Sequence, residues 1–420
     1  MELDAVVSAL GLEAYRDTLA VEWQASQASL PAGLPYFLAA EFVVDACRYA
    51  RLPAEVSDAA VRVAGRVGAN AALSALAWHG HYCTYRAAVF PRDAIHHWPT
   101  LESGLGDGAG RFILLVLLSA LSDLRALYAE HAVPAQVARD TLYDIERWML
   151  VHHERTGQWG LLPNRLGWLR NHMRGELYHL TRLQFQFGRC ADGYRVFRHR
   201  DDGTVLALAE AGLRFRADGQ MDGAGGVVDE GNAWSSHLEL TADHITGSPI
   251  TPSGEARQQE VRLSRAEWRP VLAPGDPVLH LHIPAGSPMD YDLCGQSLQM
   301  ALDFFPRHFP DHPFIAFTCS SWLLDAQLET LLPPSSNLVR FLQEMYLLPR
   351  RSSGHDTLER VFGGVPDDLR QAPRDTTLRR VLIDHLLAGG HLRGARSVLL
   401  PADLRWGEQV YRRQRIPWVG

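Results

Sequence analysis

The pattern of apolar and polar residues changes once along this chain, near residue 160. Before that point, apolar residues recur at a spacing of three to four, which predicts helices over residues 39–50, 56–77 and 111–130. Pro134 is followed by a fourth such segment, 135–153, and proline is tolerated in the first turn of a helix. The first part of the chain is therefore predicted to be helical.

After Gly157, Gly160 and Pro163 the apolar residues fall into short runs that are typical of strands. Asp-Gly pairs begin at positions 192, 202 and 218, and such pairs supply the positive φ angles that tight hairpins require. The predicted strands cover residues 176–187, 194–199, 205–208, 213–216 and 237–241. This region is expected to form antiparallel hairpins.

A different unit follows, in which a strand, a helix and a second strand succeed one another. Residues 278–283 predict the first strand, 284–288 a tight loop, 290–305 an amphipathic helix capped by Asp290, and 314–319 the second strand. This order implies a crossover connection, and so two parallel strands within an otherwise antiparallel sheet. Shorter helices are predicted at about 326–331 and 337–347.

These patterns predict an α+β protein of two domains. Residues 1–158 are expected to form a helical domain, and residues 159–420 a mixed, mainly antiparallel sheet flanked by helices. The length of 420 residues and the 46% hydrophobic content allow a sizeable core in each domain.

The composition of the chain argues against several classes of protein. A net charge of −7 argues against a dedicated nucleic-acid binder. The longest apolar run, residues 112–121, is too short to span a bilayer, and the N-terminus lacks the basic flank of a signal peptide, so we expect a cytoplasmic protein with no membrane partner. Five widely spaced cysteines without a Cys-x-x-Cys pair indicate neither a zinc ribbon nor a disulfide framework.

Every basic residue in this chain is arginine, because the sequence contains no lysine. P-loop enzymes, protein kinases, pyridoxal enzymes and Schiff-base aldolases each need a lysine amine, and all are excluded. Arginine, histidine and backbone amides remain as the groups that can hold an anionic cosubstrate. A bias in the source genome, rich in the codons for Ala, Arg, Gly, Leu and Val, explains the missing lysine more readily than function does.

A series of short motifs is spread over residues 160–400. They are His282-Ile-Pro284, Ser297-Leu-x-x-Ala301, Phe317-x-Cys319-x-Ser321-Trp322, Ser336-Asn337-Leu-x-x-Phe341, Gly175-Glu-Leu-x-x-Leu-x-Arg182-Leu-Gln184-Phe185 and Arg360-Val-Phe362-Gly363. As a series they resemble an acyltransferase family that joins an N-acyltransferase N-terminal domain to a GNAT-like C-terminal domain. The resemblance implies a GNAT-like fold for the second domain, acyl transfer as the reaction, and acetyl-CoA or another acyl-CoA as the donor.

Acyl transfer from a thioester needs backbone amides for the pyrophosphate, a donor for the thioester oxygen and a base for the acceptor's proton. The two parallel strands would admit the pantetheine arm, and the loop after the first strand would hold the pyrophosphate. The candidate cosubstrate-binding residues are Ile283, Pro284, Ala285, Gly286 and Ser287. The expected acceptor is an amine or hydroxyl of a small molecule, attacked directly in a ternary complex.

Three side chains are candidates for the chemistry itself. His282 lies at the end of the first strand, beside the loop, and is the candidate base, although a structural role fits it equally well. Tyr346, late in the predicted 337–347 helix, occupies a position where a GNAT-type fold often places its general acid. Cys319 ends the second strand, where it is either a buried apolar residue or a nucleophile.

Two alternatives remain open at this point. One is acyl transfer or hydrolysis through Cys319 as a covalent nucleophile. The other is a catalytically degenerate domain that binds a ligand or partner, which is favoured by Asp290 and Asp292 at the helix start and by the absence there of the GNAT signature Gln/Arg-x-x-Gly-x-Gly/Ala. That signature does occur from Gln220 to Gly225, but no amphipathic helix follows it.

Histidine pairs such as His280/His282 raise the question of a metal site. Residues two apart on a strand share a face, so this pair has the geometry to co-ligate an ion. No carboxylate or cysteine stands at a clear ligand spacing, and no metal site is predicted.

Overall fold

The computed structural model describes residues 1–414. The chain forms two compact units, which divide after Leu180. This division lies further along the chain than the predicted domain boundary at 158.

The first unit is helical and ends in one short strand. Its elements are α1 Leu3–Leu10, α2 Arg16–Ala20, α3 Trp23–Ala28, α4 Ala40–Tyr49, α5 Ala54–Ala69, α6 Ala71–His81, α7 Arg92–His96, α8 Glu102–Leu105, α9 Ala109–Leu118, α10 Leu121–Glu130, α11 Ala135–Thr156, α12 Leu166–Met173 and β1 Leu177–Leu180. Helix α9 is the centre of the unit, since every residue from Phe112 to Leu118 is buried. It packs against α5, α6 and α12.

Within residues 1–414, one apolar stretch, Glu102–Glu130, is long and apolar enough to cross a membrane by length and composition. An 18-residue window of this stretch has a mean hydropathy of 1.8, but 67% of that window is buried inside the protein. The stretch also breaks between α9 and α10. A mostly buried stretch of this kind is typical of a core helix.

Two of the predicted long helices are each divided in two. The 56–77 segment ends one helix at Ala69 and begins another at Ala71, because Asn70 leaves helical geometry and its side chain accepts the N–H groups of Ala72 and Leu73. Such a cap satisfies donors that a helix start otherwise leaves unpaired. The 111–130 segment likewise divides at residues 119–120.

The second unit contains strands in several sheets, with helices towards its C-terminal end. Its elements are β2 Leu183–Arg189, β3 Tyr194–His199, β4 Val205–Ala209, β5 Arg214–Phe215, β6 Trp234–Ser235, β7 Leu238–Leu240, β8 His244–Gly247, β9 Pro249–Ile250, β10 Val261–Ser264, β11 Trp268–Leu272, β12 Pro277–His282, α13 Tyr291–His308, β13 Ala316–Ser321, α14 Leu328–Leu331, α15 Asn337–Gln343, β14 Tyr346–Pro349, α16 His355–Phe362, α17 Thr377–Leu387, β15 Ala395–Leu399 and α18 Val410–Arg413.

The main sheet of this unit runs in the order β2-β12-β13-β15-β14. Strands β12 and β13 are parallel, with Leu279 opposite Phe317 and Leu281 opposite Cys319, whereas the other pairs are antiparallel. The crossover through α13 and the mixed, mainly antiparallel sheet are therefore as predicted. Asp290 also caps α13, by accepting the N–H of Leu293.

Three predictions need correction, one for a strand, one for a turn and one for a helix. The 176–187 strand is interrupted at Thr181, whose φ of 58° lies in the left-handed region. Asp202-Gly203 joins the paired strands β3 and β4, but Asp192-Gly193 lies where the chain passes from one sheet to another. The predicted 337–347 helix ends at Gln343, and Tyr346 begins β14.

Candidate active site

The candidate site lies where β12 ends and the chain turns through a loop into α13. One face of this part of the sheet is apolar, since Phe185 contacts both Phe305 of α13 and Phe317 of β13. The opposite face carries the polar residues of β2, β12 and β13, because side chains alternate along a strand. His280 and His282 both lie on this polar face.

Each of these histidines has a defined partner on a neighbouring strand. Nδ1 of His280 lies 2.8 Å from Oγ1 of Thr318, on β13. Nε2 of His282 lies 3.0 Å from Oε1 of Gln186, on β2. Burial lowers the pKa of His280, because desolvation disfavours the charged imidazolium. Both imidazoles are thus oriented by side chains that the sheet register brings beside them.

Gly188 makes room for the His280 ring. A β-carbon at this position would lie 2.2 Å from both Cδ2 and Nε2 of His280. No real side chain tolerates such an approach, so the ring can occupy this place only over a glycine.

The loop after β12 is held from beneath by Arg182. Its guanidinium donates three hydrogen bonds of 3.1 Å to the carbonyl oxygens of Pro284, Ser287 and Pro288. Arg182 is only 6% exposed, whereas residues 285–288 are exposed. The predicted cosubstrate loop therefore exists as a solvent-facing turn with a buried arginine behind it.

The start of α13 differs from a simple anion cradle. The carboxylate of Asp290 already accepts the N–H of Leu293 at 2.9 Å, so one of the helix-start donors has an internal partner. The rest of the loop, from Ile283 to Ser287, precedes this cap. Gly286 has a φ of 96°, which requires glycine.

Comparison with known proteins identifies this architecture. A profile of the GNAT-like C-terminal domain matches residues 177–399, more than half of the chain, and a profile of the N-acyltransferase N-terminal domain matches residues 41–175. The chain belongs to the GNAT-like C-terminal domain family. The resemblance inferred from the motifs is confirmed.

Solved structures share the fold over nearly the whole chain. A crystal structure of an acyltransferase in complex with decanoyl-CoA and teicoplanin has a TM-score of 0.63 and 24% identity, and the match covers 95% of this chain and 99% of that one. A mutant acyltransferase in complex with octanoyl-CoA has a TM-score of 0.62 and 24% identity, covering 96% and 100% of the two chains. The α+β prediction is confirmed. No curated protein sequence matches this chain.

Within the GNAT-like domain, the surroundings of Cys319 argue against a nucleophile. The residue is 4% exposed, and burial raises the pKa of its thiol to about 12 because the thiolate is desolvated. The imidazole hydrogen bonds described above go to Thr318 and Gln186 rather than to this thiol. The structure thus favours the interpretation of Cys319 as a buried apolar residue.

Tyr346 lies at the start of a strand, so its predicted place in a helix is wrong. The side chain is 1% exposed, and its hydroxyl donates to the carbonyl of Ile250 and accepts the N–H of Ala207 at 3.2 Å. These bonds join β14 to β9 and β4. They assign Tyr346 to the contact between two sheets, and we do not retain it as a general acid.

The glycine-rich segment from Gln220 to Gly225 connects β5 to β6 without a helix. Arg216 holds it from behind, through hydrogen bonds of 3.0 Å to the carbonyls of Ala224 and Val227. This arrangement agrees with its interpretation as a connection rather than a phosphate loop.

A small cavity opens beside His280, between the main sheet and strands β3 and β11. It has a volume of about 80 Å³ and its walls include Tyr194, Leu272, Thr318 and Leu348. Among residues 1–414, no group of three or more His, Cys, Asp or Glu side chains is arranged to hold a metal ion.

Sequence reasoning missed the partners of the two histidines. Gln186, Gly188 and Thr318 lie on neighbouring strands, and only the register of β2 and β13 against β12 places them at the site. Within β2, Gln184, Gln186 and Gly188 alternate with Leu and Phe, and this alternation is a signal from which a polar face could have been predicted.

Proposed function

We propose that this protein transfers an acyl group from acyl-CoA to an amine or hydroxyl of a small-molecule acceptor. The observation that carries the proposal is the parallel pair β12 and β13, connected by a solvent-facing loop and α13, with an oriented histidine at the end of β12. Membership of the GNAT-like family supports it. So do the similar acyltransferase folds that hold decanoyl-CoA or octanoyl-CoA.

In the proposed reaction the acceptor attacks the thioester directly. The new bond forms between the acceptor nitrogen or oxygen and the carbonyl carbon, and the carbon–sulfur bond breaks. His282 takes the acceptor's proton and returns it to the departing CoA thiolate. When Gln186 accepts from Nε2–H, the neutral ring keeps its lone pair on Nδ1, which is the form a general base needs.

The similar structures indicate which acceptor and which acyl groups to test first. Teicoplanin, the compound held by a similar acyltransferase, is a natural first acceptor to test. The cavity beside His280 is smaller than the roughly 150 Å³ that accommodates benzene in a protein core. A series of acetyl-, octanoyl- and decanoyl-CoA therefore tests which acyl group is preferred.

The experiment is a calorimetric titration of the full chain with each acyl-CoA, followed by a thiol-release assay with teicoplanin and simple amines. We expect saturable binding and acceptor-dependent release of CoA. Absence of binding at millimolar acyl-CoA would contradict the proposal.

A second candidate function is ligand binding without catalysis. It is favoured by Asp290 and Asp292, which place negative charge at the first turn of α13, where a phosphate would be repelled. In that case neither binding of acyl-CoA nor release of thiol is expected. The two functions are thus separated by the same pair of measurements.

A further inference from the structure

We propose that Arg182 is the positioning residue that shapes the loop of residues 284–289 into the site for the diphosphate of acyl-CoA. This inference rests on the proposed function and deepens it. Arg182 is a buried residue that immediately precedes β2 and lies 102 residues before Pro284, and it is inferred to act through the backbone of the loop.

The guanidinium of Arg182 forms hydrogen bonds with both ends of the loop. Nη1 donates to the carbonyl of Pro284, Nη2 to that of Ser287 and Nε to that of Pro288, each at 3.1 Å. The planar guanidinium presents its donors in a fixed fork, so three carbonyls that meet it must adopt one relative arrangement. Arg182 therefore fixes the relative arrangement of three of the loop's carbonyls.

Fixing a carbonyl also fixes the amide on the other side of the same peptide plane. In a trans peptide the N–H points opposite to the C=O. The carbonyls of Pro284 and Pro288 point at Arg182, so the N–H groups of Ala285 and Met289 are directed away from the guanidinium. Oriented backbone amides of this kind form anion-binding concavities.

The backbone of Arg182 is itself anchored to α13. The N–H groups of Arg182 and Leu183 donate to Oγ of Ser297 at 2.9 and 3.2 Å, and this hydroxyl donates to the carbonyl of Leu293 at 2.8 Å. Ser297 is fully buried. The left-handed φ of Thr181 gives the turn that brings both amides to one oxygen.

A third element holds the far end of the loop. The side-chain amide of Asn337, at the start of α15, donates to the carbonyl of Met289 at 2.8 Å. Arg182, Ser297 and Asn337 belong to three separate motifs of the sequence, and they meet around this loop. Their convergence gives those motifs a common physical role.

The charge of Arg182 acts in the same direction as the geometry. A guanidinium directly behind the loop raises the electrostatic potential where a diphosphate would lie. It opposes the effect of Asp290 and Asp292, the acidic residues at the helix start. Since the chain contains no lysine, arginine is the residue available for this purpose.

The test compares two thioesters, acyl-CoA and the corresponding acyl-pantetheine, which lacks the diphosphate. The variants are Arg182→Gln and the milder Arg182→Lys, which keeps the charge but cannot reach all three carbonyls in the same way. The matched control is Arg216→Gln, because Arg216 is also 6% exposed and also holds loop carbonyls, but at the 220–226 connection. Urea denaturation confirms that each variant is folded.

We expect wild type and Arg216→Gln to prefer acyl-CoA over acyl-pantetheine in kcat/KM. In Arg182→Gln we expect KM for acyl-CoA to rise about tenfold or more, with little change for acyl-pantetheine, so that the preference is largely lost. Arg182→Lys is expected to retain part of it. Equal losses for both thioesters, or a wild type without preference, would overturn the inference. A wild type that neither binds nor uses acyl-CoA would instead overturn the proposed function.

Discussion

At the scale of single residues, the two histidines of β12 differ in their surroundings although they share a face. His280 is partly buried beside a small cavity, and its pKa is lowered by desolvation. His282 lies at the strand end, adjacent to the loop that the proposed cosubstrate would contact. Position therefore favours His282 as the base, with Gln186 orienting its ring.

Replacing His282 by glutamine tests this assignment. We expect kcat to fall by roughly 10² to 10⁴, the usual contribution of a general base, while the Kd for acyl-CoA stays near the wild-type value. Thiol-release kinetics and calorimetry measure the two quantities. A kcat within twofold of wild type would exclude His282 as the base.

Replacing Cys319 by alanine separates direct attack from covalent catalysis. Because the thiol is buried and its pKa is raised to about 12, we expect kcat/KM with acyl-CoA to remain within about threefold of wild type. The stability cost should be about 1 kcal/mol, since a small buried group is lost. Loss of all turnover in a folded Cys319→Ala protein would restore the covalent mechanism.

Replacing Gly188 by alanine forces the His280 ring to move. A new β-carbon 2.2 Å from the ring must displace it from Thr318, and overpacking of this kind costs about 1–3 kcal/mol. Urea denaturation gives the change in unfolding free energy. The control is Gly231→Ala, where no heavy atom lies within 4 Å of the added carbon and little change is expected.

At the scale of secondary-structure elements, helix α6 buries two histidines that are polar in sequence. His79 and His81 are both fully buried, with Nδ1 atoms 2.8 Å from Ser26 Oγ and 2.7 Å from Ser119 Oγ. Desolvation lowers the pKa of His79 to about 3 and of His81 to about 4. Both imidazoles are therefore neutral in the folded protein at neutral pH.

This arrangement predicts acid sensitivity with a defined sign. Below the ordinary histidine pKa of about 6.5 the unfolded chain binds protons that the folded chain refuses, so stability falls as the pH falls from about 6.5 towards 4. Each histidine contributes a slope of up to about 1.4 kcal/mol per pH unit. Urea denaturation at pH 7.5, 6 and 5 measures it. His79→Gln should flatten the slope, and an unchanged slope would contradict the prediction.

The presence of elements with regular periodicity was predictable from the sequence. The positions at which such elements end were not predictable where one residue decides them. The crossover β12–α13–β13 follows from a strand pattern, an aspartate cap and a second strand pattern, which are all local features. The breaks at Asn70 and Thr181 and the change from α15 to β14 before Tyr346 depend on a cap, a left-handed φ and pairing with β15. Propensity alone does not specify these.

At the scale of the whole molecule, the segment after β15 ties the second unit together. Asp403 forms a largely buried ion pair of 2.6 Å with Arg198 of β3, since the side chains of Asp403 and Arg198 are only 6% and 14% exposed. Gln414 bonds both backbone groups of Val205, at 2.9 and 2.7 Å, in the manner of an added strand residue. The buried hydroxyl of Tyr411 accepts the N–H of Leu400 at 2.9 Å.

Replacing Asp403 by asparagine should leave the Arg198 charge buried without its counterion. We expect the free energy of unfolding to fall by roughly 3–5 kcal/mol, the usual cost of breaking a buried pair. The matched control is Glu408→Gln in the exposed Arg405–Glu408 pair, where a change below about 1 kcal/mol is expected. Equal effects of the two substitutions in urea denaturation would refute the role assigned to Asp403.

The sequence by itself determined the helical character of the first part, the α+β class, the parallel pair and the family, because these depend on local periodicity and on short motifs. It also placed the candidate loop, from Ile283 to Ser287, and His282 beside it. Only the tertiary structure decided which side chains meet there. Arg182, Gln186 and Thr318 reach the site through strand register and a turn at Thr181, and those contacts join residues about 40 to 105 positions apart. Burial, which likewise depends on the whole fold, argues against Cys319 as a nucleophile and against Tyr346 as a general acid.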